Sequence, residues 1–379
     1  MIDTITIVLE KEQYKIIEAH KFDIPFEDID EFDQAKRALF LKKYNGRRVY
    51  IQNPSSKLRK QNIIYPNLRI DQNFRSGFYS CTLKLTISCP KLLWSHSYKD
   101  ITDNNLKKII VLLKERLKDM GIETTESNLI NAKLTKLHYC KNIIFKSQAD
   151  TQIIIDKLSR TSLGDWYEVN VKTYANDGRA IRFHCDIFEL VFYLKYYDAL
   201  ETANRSVGKN ITAKEKQIAL EHYKNGTMPP VVRMEVRFNT ARSISSHLKA
   251  ALKEDRPAWT FSQVFSEKNS LTTLNYYWNE ILSKETNYLV LCHSLDNEKY
   301  LKIFEEFSND KFKTIAEGIG LFSILQTCGV KRTKKIIQSS YTRKTWYKKV
   351  KKIVSFAQKY TEEDKTLIKI VTNSLKIKE

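Results

Sequence analysis

The sequence predicts an α+β chain: an antiparallel or mixed sheet with helices, followed by a helical C-terminal part. Three observations carry this. Short apolar segments alternate with period two through the first part of the chain. Stripes at i, i+3, i+4 spacing lie between them, and only helical spacing follows the last strand-like segment. The boundary is drawn at 245, giving a sheet-containing domain over 1–245 and a basic helical domain over 246–379.

Taken in order, Ile5, Ile7 and Leu9 fall on one face of a first strand over 1–10, and FYSCTLKLTIS repeats the pattern with Tyr79, Cys81, Leu83, Leu85 and Ile87. Between Asp103 and Gly121 a helix is expected: Asp103 can cap it, Leu106, Ile109, Ile110, Leu113 and Leu117 form its stripe, and Gly121 can close it. Strands are expected at 132–145, 180–195 and 231–239, with a helix near 148–160. Residues 274–307 and 311–360 read as helices. Leu321, Ile324, Leu325 and Cys328 share a face, Gly329 ends that helix, and KRTKKII opens the next. A further helix from about Thr342 would bury Trp346, Val350, Ile353 and Val354. Two helices joined through a glycine, the second lined with Lys331, Arg332, Lys334 and Lys335, suit a helix-turn-helix reader of duplex DNA; the plain alternative is a helical bundle with a solvated basic face.

Composition narrows the function. The 379 residues are 42% hydrophobic and 28% charged, enough for a folded core, and no apolar run reaches the ~20 residues of a membrane span. The N-terminus alternates like a strand, unlike a signal peptide, so a soluble, cytoplasmic chain with no membrane partner is expected. Ten glycines and seven prolines leave little for glycine-loop nucleotide folds, and there is no GxxxxGK[ST] segment. The six cysteines are scattered with no CxxC pair, which argues against a structural zinc site and fits core thiols in a reducing compartment. Net charge is +20. Residues 331–379 hold 15 Lys and Arg against four acids, so +11 of the excess is clustered there. Codon bias toward lysine accounts for a general excess but not for clustering, which favours a polyanionic partner, nucleic acid foremost.

Chemistry is densest in RFHCDIFELVFYLKYYDALE, residues 182–201. Period two puts Phe188, Leu190, Phe192 and Leu194 in the core and Glu189, Tyr193 and Lys195 on the opposite, open face. A phenol is a weak nucleophile until a cation stabilises the phenolate, and Lys195 or a divalent metal beside Tyr193 would do so. Tyr197 stays on the face of Tyr193 whether the segment is strand or helix. Upstream, His184 and Asp186 project to one side of a strand with Arg182 and can share a hard cation. In VVRMEVRFN, Arg233, Glu235 and Arg237 share a face: Glu235 is either a metal ligand flanked by phosphate-gripping guanidiniums or a cross-sheet salt-bridge partner. In LTKLHYCKNIIF, His138 and Asn142 share a face and Lys141 points away. Asp3 lies on the apolar side of the first strand, a position that asks for a pairing cation or a metal.

The segments IDTITI, KLHYCKNIIF, HCDIFELVFYLKYYDALE and VVRMEVRFN, in this order, resemble the phage/plasmid replication initiators of the filamentous-phage gene II/X type, and AEGIGLFSILQTCGVKRTKKIIQ with YTRKTWYKKVKKI resembles their helical tail. The resemblance covers most of residues 1–240. It implies a nicking-type catalytic domain and a rolling-circle initiator: a tyrosine attacks one strand at an origin, leaves a 3′-hydroxyl primer and stays linked to the 5′-phosphate. By position it implies Tyr193 as nucleophile, with Tyr197 as a second one, Lys195 as the lysine of a Tyr-x-Lys element, Glu235 as the acid of the Arg-x-Glu-x-Arg strand and His184 as the preceding histidine. Mg²⁺ or Mn²⁺ would be held by His184 and Glu235 with Asp186 and Asp3, and Arg233, Arg237, Lys141, Lys331, Arg332, Lys334 and Lys335 would contact nucleic acid. The partners implied are single-stranded and duplex DNA at an origin, with host helicase and polymerase. Two departures stand out: Leu194 follows Tyr193 where many relatives have Asp, and His184-x-Asp186 replaces a His-hydrophobic-His motif. A non-catalytic DNA- or RNA-binding regulator of a mobile element is the alternative. A tyrosine recombinase lacks its Arg…His-x-x-Arg…Tyr order here.

Overall fold

Alternation in the first ten residues becomes β1 (Ile2–Glu10), with Ile5, Ile7 and Leu9 fully buried. The computed structural model describes residues 1–28, 32–53, 58, 61–75, 78–163, 168–171, 178–205, 211–284, 287, 290–291, 312–340, 346 and 366–377. The other strands are β2 (Tyr14–Ile16), β3 (Arg47–Gln52), β4 (Asn67–Arg75), β5 (Phe78–Ser88), β6 (Ile122–Thr124), β7 (Lys133–Ile144), β8 (Glu168–Val171), β9 (Ala180–Cys185), β10 (Phe188–Leu194) and β11 (Val231–Phe238). Nine of them hydrogen-bond in the order β3-β4-β5-β1-β7-β11-β10-β9-β8, and β2 pairs with β6. The chain is α+β with a large antiparallel sheet.

Two compact units interleave along the sequence, with no division at 245/246. One comprises Met1–Asn142, Ala199–Thr227 and Glu235–Thr273, the other Ile143–Asp198, Met228–Met234 and Leu274–Glu379.

In the first unit, β3/β4, β4/β5, β5/β1 and β1/β7 are antiparallel ladders. Their register places Leu68, Ile70, Leu83, Leu85, Ile87, Ile5, Ile7, Leu9, Leu137 and Tyr139 on one face, all buried. The expected helix over 103–121 is a 3-10 turn, Asp103–Asn105, running into Leu106–Asp119, with Ile109, Ile110, Leu113 and Leu117 buried as predicted. It packs against β6 and the helices Cys89–Trp94 and Glu126–Ile130. Gly121 follows at φ +81°, and a Cβ there would meet the Glu18 Cβ at 2.7 Å, so the closing residue has to be glycine.

In the second unit, the single strand expected over 180–195 is a hairpin: β9 and β10 pair antiparallel, joined by the turn Asp186–Ile187, and β8 pairs with β9. The helix Gln148–Ser159 lies against β9 and β10 with Ile154, Ile155 and Leu158 buried, and Trp278 stacks edge-on to Phe192. The C-terminal helices Phe312–Cys328 and Val330–Ser340 join at Gly329, whose φ of +78° and N–H to the Leu325 carbonyl end the first as the sequence predicts. A single-residue joint is shorter than the three or four residues of a helix-turn-helix. Of the helix expected from Thr342, Trp346 is described and buried, whereas Val350, Ile353 and Val354 lie outside the described residues. So does most of the stretch expected to be helical between 283 and 307.

Candidate nucleic-acid interface and catalytic residues

The second face of the first unit's strands is polar. Arg69 and Asp71 on β4, Lys84 and Thr86 on β5, Thr6 and Thr4 on β1, and Lys136 and His138 on β7 alternate with the buried apolar residues, and the ladders set them side by side. Thr6 and Thr86 share a hydroxyl–hydroxyl hydrogen bond of 2.8 Å. From β4 to β11 the face spans four strand spacings, roughly 19 Å at ~4.8 Å each.

At one end of this face, Asp71 is buried and gathers three cations: Arg47 at 3.0 Å, Arg69 at 2.9 Å and Lys84 at 3.1 Å, with Arg69 Nε adding contacts to both carboxylate oxygens. The cations themselves are 49%, 44% and 38% exposed. Burial by itself would raise the Asp71 carboxyl; hydrogen bonds from Arg69, Arg47 and Lys84 outweigh it and hold the group well below the usual carboxylate range. One carboxylate thus fixes three partly exposed side chains, and the cluster keeps a net charge of two.

At the other end, His138 is 8% exposed and its Nε2 has no hydrogen-bond partner. Burial foremost, then the Arg237 cation, push its imidazole down to about 4, against the upward pull of Glu235 and Asp3, so the ring is neutral at pH 7. Glu235, 2% exposed, accepts 2.8 and 2.6 Å hydrogen bonds at Oε2 from Arg237 Nε and Nη2. A neutral, desolvated imidazole nitrogen beside a buried carboxylate is the arrangement on this face best suited to holding a cation or moving a proton.

Of the residues singled out from sequence, Asp3, Glu235 and Arg237 gather around His138. Asp3 does not sit on the apolar side as expected: the register shifts between Ile2 and Thr4, a bulge that releases it from the alternation, and its carboxylate accepts a 2.8 Å bond from the Thr4 hydroxyl. Lys141 is ion-paired with Asp100 at 3.4 Å.

In the second unit the expectation of an open tyrosine face is corrected. Tyr193 is 7% exposed and packs with Val191 and Ala180. Lys195 is buried and is the first residue of the helix Lys195–Arg205, not a strand residue, with its ammonium 5.7 Å from the Tyr193 ring centre. Tyr197, half-buried in the same helix, has the Arg179 guanidinium 4.4 Å over its ring. His184 shares a face with Tyr193 but pairs with Glu189, whereas Tyr193 pairs with Ala180; the four residues between them amount to roughly 13 Å. Asp186 lies in the exposed turn after β9, so it does not share a strand face with His184. Arg182 pairs with Glu189 at 3.2 Å. Arg233 is 1% exposed, which removes it from any surface contact with nucleic acid. Lys331, Arg332 and Lys335 are exposed on the helix Val330–Ser340, and Lys334 is half-buried.

Among the described residues no group of three or more His, Cys, Asp or Glu is placed to hold a metal ion, and no helix is long and apolar enough to cross a membrane. The five described cysteines are free thiols. Sequence reasoning missed Asp71, Arg47, Arg69, Lys84 and Lys136. The signal is present: NLRIDQN and TLKLTIS alternate polar residues, Arg69, Asp71 and Lys84 among them, with buried Leu and Ile. Comparison with family models, with curated proteins and with solved structures finds no match for this chain.

Proposed function

We propose that the chain is a DNA-processing protein of the rolling-circle initiator kind, which lays a single strand over the polar sheet face and nicks it through a tyrosine. The observation that carries this reading is the neutral, orphaned His138 Nε2 beside Glu235 at the end of a cation-lined sheet. The phenolate oxygen attacks phosphorus, the bond to the 3′-oxygen breaks, that oxygen leaves as the 3′-hydroxyl on taking up a proton, and the 5′-phosphate remains esterified to tyrosine. One phosphodiester replaces another, so no nucleotide hydrolysis is required.

Residues fit a Mg²⁺ or Mn²⁺ ion in part: His138 Nε2 and Glu235 would supply one nitrogen and one carboxylate, the remaining positions falling to water and substrate oxygens. Such an ion would neutralise charge on the pentacoordinate phosphate. Arg237 anchors Glu235, and Arg47, Arg69 and Lys84 grip neighbouring phosphates. The candidate nucleophiles are those the resemblance implies, Tyr193 and Tyr197, with the Lys195 ammonium 5.7 Å from the first ring and the Arg179 guanidinium 4.4 Å from the second. The basic helix Val330–Ser340, with Lys331, Arg332 and Lys335 exposed, would contact duplex DNA.

Burial of Tyr193 favours a second reading, a DNA- or RNA-binding regulator without nuclease activity. Incubation with labelled single-stranded DNA and Mn²⁺, followed by mass mapping of DNA-linked peptides, separates the two. An adduct at Tyr197 or Tyr193, abolished by the matching Tyr→Phe change with binding kept, supports the nicking reading. Retarded gel bands with no adduct under either metal support the second.

A further inference from the structure

A cleft of about 1230 Å³ opens in the first unit, away from the polar sheet face, between the segment 11–28 and the helix Gln34–Tyr44. Its walls combine aromatic rings and cations. Phe26 packs on Tyr50 at 4.9 Å, Phe40 on Tyr44 at 5.3 Å, and the Arg48 guanidinium stacks 4.8 Å from both Tyr44 and Tyr50. Tyr14 and Cys81, on the apolar side of the sheet, form part of the lining and bond to each other at 3.2 Å.

The charges sort into spent and unspent. Lys11 is paired with Asp28 at 2.9 Å and Arg48 with Glu27 at 2.6 Å. Lys15, Lys36 and Lys43 also line the cleft, are exposed, and have no acid partner among the described residues; Glu12 is the remaining acid. The cleft therefore carries a net positive charge, and of its rings Phe26, Phe32 and Tyr44 are half-buried while Phe40 and Tyr14 are buried. An apolar ligand would not use the lysines, and an inorganic anion would not use the rings. A nucleobase on its sugar-phosphate uses both, by stacking on aromatic faces while the backbone is held by the cations. The volume exceeds the ~300–1,000 Å³ of ordinary small-molecule pockets, which suits a short run of nucleotides better than one.

We infer that this cleft is a binding site for unpaired nucleotides of a single-stranded nucleic acid, with Tyr44 as a stacking platform and Lys36 and Lys43 as phosphate contacts. The inference stands whether or not the chain nicks DNA, because a regulator that only binds would use the cleft in the same way.

The test needs no metal and no origin sequence. A short oligo(dT) carrying one 5-iododeoxyuridine is bound in EDTA, photocrosslinked and mass-mapped, and its affinity is measured by anisotropy. Crosslinks should fall on the cleft aromatics. Tyr44→Ala should weaken binding roughly 5- to 100-fold and Tyr44→Phe should restore it, since stacking is worth that much per base and the hydroxyl is not used. Lys36→Gln with Lys43→Gln should lower the salt dependence by about 1.4 in log–log slope. Thermal melting confirms that each variant is folded. Crosslinks confined to peptides outside the cleft, or Tyr44→Ala binding within two-fold of the parent in a folded protein, overturns the inference. Neither result bears on the tyrosine adduct, which is scored separately with Mn²⁺.

Discussion

Replacing His138 with glutamine removes a proton site whose effect on stability can be worked out in advance. Unfolded, the imidazole titrates near 6.5; folded, burial and the Arg237 cation depress it to about 4. Between those values the unfolded chain binds a proton that the folded chain does not. The contribution is therefore fully present above about 6.5 and is lost as pH falls toward 4. From pH 7.5 to pH 5 the linkage integral is about 2 kcal/mol, and it approaches about 3 kcal/mol near pH 4. Urea unfolding of wild type and His138→Gln at pH 7.5 and pH 5.0 isolates this quantity as a difference of differences. His247 is likewise depressed to about 4 by burial, but it titrates in both proteins and cancels. The variant should lose about 2 kcal/mol less than wild type over that interval. Equal losses, within about 0.5 kcal/mol, would mean that His138 titrates normally when folded, and the role proposed for it as a neutral ligand or base at pH 7 would go with it.

Other expectations follow from the same geometry. Arg69→Gln or Lys84→Gln should each reduce the log–log salt slope of single-strand binding by about 0.7, with sequence preference unchanged, as read by anisotropy titration at several salt concentrations. Asp71→Asn strips the buried anion from three cations and should cost about 2–3 kcal/mol in urea unfolding, discounted from a fully buried pair because the cations are half exposed; since the folded carboxyl is held low, the variant's deficit should be complete above pH ~4 and shrink below it. Gly329→Ala should destabilise the fold by roughly 1–3 kcal/mol in urea unfolding, because φ is +78° and the new Cβ would lie 2.8 Å from the Arg160 carbonyl oxygen.

How much of this was readable in advance depends on what each feature requires. β5 and the helix ending at Asp119 need only local periodicity, and Leu83, Leu85, Ile109 and Leu113 turned inward as their spacing predicts. The β9–β10 hairpin defeated the same method for a definite reason. Two-residue hairpin turns usually announce themselves with Asn-Gly or Asp-Gly, and here the turn is Asp186–Ile187. With no glycine to mark the break, alternation reads straight through the turn and puts His184 and Asp186 on a common strand face that ends between them. Asp3 failed similarly: one extra residue at the bulge between Ile2 and Thr4 reverses the parity, and nothing in the side chains signals it. The open face around Tyr193 failed differently, since period two tells which residues share a face but not whether that face is covered, and Val191 and Ala180 close over the ring.

His138 shows the complementary limit. Its strand and its face followed from LTKLHYC alone, but its meaning rests on neighbours far away in sequence. Thr4 lies opposite it on β1, and Asp3, Glu235 and Arg237 supply the charges around it. These groups meet only because β7 takes its place between β1 and β11, long-range pairings that no window of residues encodes. What marks the site out physically is an imbalance: a buried carboxylate already satisfied by Arg237 stands beside a buried imidazole nitrogen that is not satisfied. An unmet buried donor or acceptor costs about 1–3 kcal/mol, and a fold tolerates that most readily where a ligand later meets it. In the proposed reading a phosphate-bound cation would supply that missing partner.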